Sequence, residues 1–69
     1  EWTGVLAAWA ERQLHSSNAP LLETALPEFE KTLIETAMSQ TNGHRQEAAK
    51  LLGWGRNTLA RKMKALRLD

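Results

Sequence analysis

The chain contains no cysteine, so neither a disulfide nor a thiolate metal site can hold it together. Its two histidines, His15 and His44, lie far apart and lack other ligands beside them, which argues against a zinc site. No apolar run approaches the roughly 20 residues of a membrane span. No signal-peptide pattern opens the chain either, so a soluble, cytoplasmic protein is expected. There is no Ser/His/Asp set, no glycine-rich phosphate loop and no carboxylate pair in an apolar cleft. Glu28 and Glu30, two apart on a helix, face away from each other and are solvated acids. The residues therefore point to no enzyme, no metal and no cofactor. Nothing repeats and nothing is of low complexity. Because the first residue is Glu1 rather than methionine, the chain is expected to be an excised piece of something longer.

What is present is 69 residues, 42% of them hydrophobic, enough for one globular domain. A domain of this size buries only about 60% of its unfolded surface and is marginal without a disulfide, a metal or a partner subunit. With the first two excluded, a partner subunit remains. The net charge of +1 hides a segregation. Residues 45–69 carry seven Lys/Arg against Glu47 and Asp69, a balance of +5, whereas residues 1–44 carry Arg12 and Lys31 against six glutamates, a balance of −4. A basic end suits a polyanion, and an acidic end should stay away from one.

The basic end, His44 to Leu66, reads as two short helices joined by a glycine corner, a helix-turn-helix. The first, about 45–52, has Ala48, Ala49, Leu51 and Leu52 on an apolar face and Arg45, Gln46 and Lys50 outside it. Gly53 stands where the chain must turn with positive φ, Trp54 is the large apolar residue of the corner, and Gly55 is an acceptable N-cap. The second helix, about 56–66, repeats Leu59, Met63 and Leu66 at i, i+4 and i+7, one buried stripe. Arg56, Asn57, Ala60, Arg61, Lys64 and Arg67 fall largely on its other faces. A helix held by one stripe presents its N-terminal half and outer face to base edges in a DNA groove. Arginine suits the acceptor pair of guanine, and asparagine can bond adenine twice.

The acidic end, residues 1–43, reads as dimerisation helices at about 3–16 and 21–42. In the first, Trp2, Val5, Leu6 and Trp9 share a face and Thr3 can cap the start; two tryptophans are a large apolar load for so short a chain, and a dimer interface is the favoured use. Ser16 to Pro20 form a turn. In the second, Phe29, Leu33, Ala37, Ile34 and Met38 make a broad apolar face, with a kink or break expected near Pro27. Glu28, Glu30 and Glu35 should favour its N-terminal half. Asn42 and Gly43 mark its stop, with Gly43 left-handed, and Glu47 can reach back to His44 in half a capping box. His44 is read as a turn residue near a phosphate.

The run GHRQEAAKLLGWGRNTLARKMKAL resembles the C-terminal DNA-binding domains of the NtrC family of nitrogen regulators, within the wider Fis-type helix-turn-helix family. The close similarity covers about the last forty residues and extends more weakly over the whole chain. In the general helix-turn-helix pattern the last apolar position falls on Lys62; here Met63 takes it, the Fis-type arrangement. Relatives usually carry glycine after the final leucine, where this chain has Arg67. The resemblance implies an all-α, four-helix Fis-like domain dimerising through its N-terminal helices. It implies base contacts from Arg56, Asn57 and Arg61, and phosphate contacts from Thr58, Lys62 and Gln46, to which the charge pattern adds Arg45 and Lys64. It further implies a homodimer on a palindromic enhancer, in a phosphorylation-controlled activator of a two-component system whose receiver and ATPase domains precede this one and which acts with alternative-sigma-factor RNA polymerase. Two rivals stand beside it: a Fis-like architectural DNA binder, and a dimerisation or adaptor module whose basic helix meets an acidic protein partner.

Overall fold

Four helices account for all regular structure in the computed structural model, which describes residues 1–69: α1 Trp2–Ser16, α2 Leu21–Gln40, α3 Arg45–Leu52 and α4 Arg56–Ala65. Six side chains are removed from solvent, and they come in pairs from three helices: Ile34 and Ala37 of α2, Ala48 and Ala49 of α3, Leu59 and Met63 of α4. The two alanines of α3 keep its inner face thin, which lets its backbone approach α2. Met38, Leu52, Trp54, Leu66 and Leu68 close around this cluster. Ile34 and Leu59, fully enclosed, each contribute about 1.5 to 3 kcal/mol through burial. Leu33, expected on the same face as Ile34, is 44% exposed, because it lies about 100° further round the helix and turns toward α1.

Helix α1 adds no buried residue. Its link to α2 is aromatic: the Trp2 and Phe29 rings stack with centroids 6.4 Å apart and planes 28° from parallel. The molecule is accordingly elongated, 39 × 26 × 16 Å, with a radius of gyration of 13.9 Å, against about 11 Å for a compact chain of this length. No helix is long and apolar enough to cross a membrane.

Several local expectations change. The cap of α1 is Glu1, not Thr3: its carboxylate accepts the Thr3 amide at 2.9 Å and the Thr3 hydroxyl at 2.7 Å. The Thr3 hydroxyl and then the Thr3 amide hold the Glu1 carboxyl below the ordinary 4.5. Helix α2 does not break at Pro27 but runs unbroken through it. Proline removes the amide that would bond the Glu23 carbonyl, yet both residues are exposed, so water can take that carbonyl. Since α2 starts at Leu21, Glu23 is the acid of its first turn, and Glu28 and Glu30 lie mid-helix, beyond the reach of the terminal dipole. Glu47 makes no bond back to His44, whose amide is already donated to the Thr41 carbonyl at 3.1 Å.

Three helices end by one device. After α2, Asn42 is left-handed at φ +54, and the Gly43 amide donates to the Met38 carbonyl at 2.8 Å; Gly43, at φ +83, continues the reversal. After α3, Gly53 is left-handed at φ +80 and the Trp54 amide donates to Ala49 at 2.9 Å. After α4, Arg67 takes φ +60 and the Leu68 amide donates to Met63 at 2.8 Å. These are Schellman closures, in which a left-handed residue lets the next amide reach back to an orphan carbonyl. Arg67 thus adopts the conformation that glycine would adopt more readily, and α4 ends at Ala65, one residue short of the expected Leu66.

Candidate nucleic-acid interface

Helix α4 is fixed along one side by Leu59 and Met63, with Leu66 half-buried just past its end. The opposite side carries Asn57, Arg61 and Lys64, all exposed, at i, i+4 and i+7. Arg56 and Asn57 form the first turn, directly after Gly55, whose extended backbone (φ −75, ψ 157) opens the helix without a side-chain cap. The first-turn amides and the arginine therefore project from one helix end, where the dipole favours an anion. Arg45 and Gln46 open α3 and are exposed, and Thr58 is half-buried. All the basic residues of α3, α4 and the segment after it are exposed except Lys62.

Lys62, expected on a phosphate, is half-buried in the free chain and already has a partner. Its Nζ donates to Glu30 Oε2 of α2 at 2.8 Å, with the two side chains 29% and 17% exposed, and lies 5.9 Å from the centre of the Trp54 ring. Glu30 carried no signal as a functional residue in the sequence: its partner is 32 positions away. The other three side chains expected on phosphates besides Thr58, namely Arg45, Gln46 and Lys64, are exposed.

At the far end of the molecule, Trp2, Leu6 and Trp9 of α1 face Ala25, Phe29 and Leu33 of α2 across an open apolar groove of about 550 Å³. Val5, grouped with them in the sequence, does not line the groove and is 70% exposed. Of nine exposed large hydrophobic residues, eight lie on α1 and α2. The apolar surface that the core leaves over is therefore concentrated at the acidic end, opposite in charge to α3 and α4.

A buried-stripe helix behind a left-handed glycine corner, with asparagine and basic residues outward, defines the helix-turn-helix class of regulatory domain. The chain belongs to the Fis family of bacterial regulatory proteins, whose family model matches residues 25–66. It is 56% identical over 68 residues to the DNA-binding transcriptional regulator NtrC of Escherichia coli K12, 54% to that of Klebsiella pneumoniae and 48% to that of Proteus hauseri. Each similarity covers 99% of this chain and 14% of the relative's length. Among solved structures, the DNA-binding domain of NtrC with three alanine substitutions, determined in solution, is 51% identical, with a TM-score of 0.67. That match covers all of this chain and 76% of the other.

Proposed function

We propose that this chain is the DNA-binding domain of an NtrC-type transcriptional activator, reading a palindromic enhancer as a symmetric dimer. The observation that carries the reading is α4: a helix anchored at Leu59 and Met63 whose free side offers Asn57, Arg61 and Lys64, with Arg56 at its tip. Arg56, Asn57 and Arg61 contact bases, whereas Arg45, Gln46, Thr58 and Lys64 engage phosphates and set the register. The similarity to the NtrC regulators supports this assignment, as does the segregation of positive charge onto α3 and α4. The remainder of such a regulator would supply the receiver and ATPase domains and the contact with alternative-sigma-factor polymerase, in the cytoplasm.

The dimer forms through α1 and α2. Their leftover apolar surface and the groove lined by Trp2, Leu6 and Trp9 support this, since large apolar side chains gathered at one end of a small domain suit an interaction surface. Two-fold pairing of the acidic ends turns both copies of α4 outward into successive major grooves about 34 Å apart.

Selection from a random duplex library, followed by mobility shift, tests the reading. An inverted repeat should emerge. Arg56→Ala or Arg61→Ala should each cost about 1 to 3 kcal/mol on the selected site and relax preference at one base pair per half-site. Equal loss on selected and random duplex would make that arginine a phosphate contact, and selection of no sequence at all would favour an architectural binder.

A further inference from the structure

The buried stripe of α4, Leu59 and Met63, decides which side of the helix faces the core, but burial is non-directional and holds a small turn about the helix axis less sharply than a hydrogen bond does. Rotation matters: a recognition group is productive only within about 10 to 20° of its working geometry. Among side-chain hydrogen bonds, one joins α4 to another element, the 2.8 Å contact from Lys62 to Glu30. Lys62 is next to Arg61 and lies toward one edge of the buried stripe, with the Trp54 ring 5.9 Å from its ammonium. Glu30 and Trp54 line the same small cavity between α2 and the α3–α4 corner. The ammonium therefore meets a directional partner on α2 and an aromatic wall at the corner, and so has a defined position across three elements.

We propose that Glu30, Lys62 and Trp54 form a lock that fixes the rotation of α4, making Glu30 and Lys62 positioning residues for recognition, with the Lys62 charge held internally and not on a phosphate. Carboxylate and ammonium are both half-withdrawn from water, so their bond is less screened than a surface pair and costs more to break. Arg61, one residue before Lys62, is aimed by it. This inference rests on the DNA-binding reading for its consequence but not for its geometry.

The test uses Glu30→Gln, Lys62→Met and the charge swap Glu30→Lys with Lys62→Glu. With the selected duplex, either single variant should lower the ratio of specific to random affinity about tenfold, and the two singles combined should be no worse than one. The slope of log K against log salt should stay unchanged in Lys62→Met, and the swap should recover most of the ratio. A phosphate contact gives the opposite pattern: the slope falls by about 0.9 per half-site in Lys62→Met, Glu30→Gln keeps or gains affinity, and the swap is worst of all because it sets a carboxylate against the backbone. A ratio unchanged in both folded single variants also overturns the proposal. The geometry is read separately by residual dipolar couplings of the free protein. The orientation of α4 relative to α2 should shift in Glu30→Gln and Lys62→Met and return in the swap; an unmoved α4 refutes the lock. A wild-type chain that binds no duplex, with α4 shifting as described, would refute the function and leave the lock standing.

Discussion

Arg67 shows how one backbone angle can oppose the chemistry of its side chain. At φ +60 an L-residue brings Cβ close to a carbonyl oxygen, which costs about 1 to 2 kcal/mol, and the closure of α4 tolerates this because Leu68 gains both a 2.8 Å hydrogen bond and a place against the core. Arg67→Gly should therefore stabilise the free protein by about 0.5 to 1 kcal/mol, part of the gain being offset by the greater freedom of glycine when unfolded. Gly53 is the converse case. A Cβ there would meet no atom within 4 Å, so Gly53→Ala is opposed by the φ of +80 alone and should cost about 1 kcal/mol. Thermal unfolding of the two variants beside the parent checks both signs; a destabilised Arg67→Gly would mean that the arginine side chain supplies a contact of its own.

Helix α2 is the element on which the others depend, since it carries part of the core, the Glu30 carboxylate and one wall of the apolar groove. It does so with Pro27 in its interior, at a cost of up to about 3 kcal/mol for the lost hydrogen bond and the ring clash. Pro27→Ala should recover about 1 to 2 kcal/mol of this, and amide exchange at the residues around it should slow. A variant no more stable than the parent would show that the proline matches a bend the packing requires. The run LLETALPEFEKTLIE pulled in two directions here: its apolar spacing is helical on both sides of Pro27, while proline alone predicts an interruption. The apolar spacing prevailed because the affected carbonyl lies on a wet face. By contrast, the starts of α3 and α4 and the apolar face of α4 were legible, since Gly53, Gly55, Leu59 and Met63 act on neighbours within one or two turns, whereas Leu51, expected on the apolar face of α3, is 65% exposed because the core meets α3 on Ala48 and Ala49.

The charge and the apolar surplus divide the molecule into two unlike ends, to which the proposed function gives DNA contact and pairing. Arg45, Lys50, Arg56, Arg61 and Lys64, exposed on α3 and α4, should release several counterions per subunit on DNA, so a dimer should lose on the order of a hundredfold in affinity between about 50 and 200 mM salt. A flat salt dependence would favour an interaction with protein. At the other end, Trp9 is only half-buried in the single chain, and Trp2 is 63% exposed. If pairing covers them, Trp9→Ala removes up to about 3 to 5 kcal/mol from the dimer. Sedimentation equilibrium at micromolar concentration should then find monomers, with binding to a full inverted repeat weakened far more than binding to a half-site. A folded, undiminished dimer would transfer the interface to α2.

Helix identity, the glycine corner, the buried stripe of α4 and the separation of charge could all be read from residues within a few positions of one another, because propensity, periodicity and φ preference are local. The resemblance to the NtrC family was equally open, its most specific residues being the contiguous GWGRNTL. Three features were not accessible in this way. Lys62 turns inward because Glu30, 32 residues earlier, faces it at 2.8 Å. Leu33 stays outside the core because the helices meet on Ile34 and Ala37 instead. Helix α1 contributes no buried residue because α2, α3 and α4 complete a core without it. Each depends on the angle and distance between helices, which follow from how all the side chains fill space together and leave no trace in the spacing along a single helix.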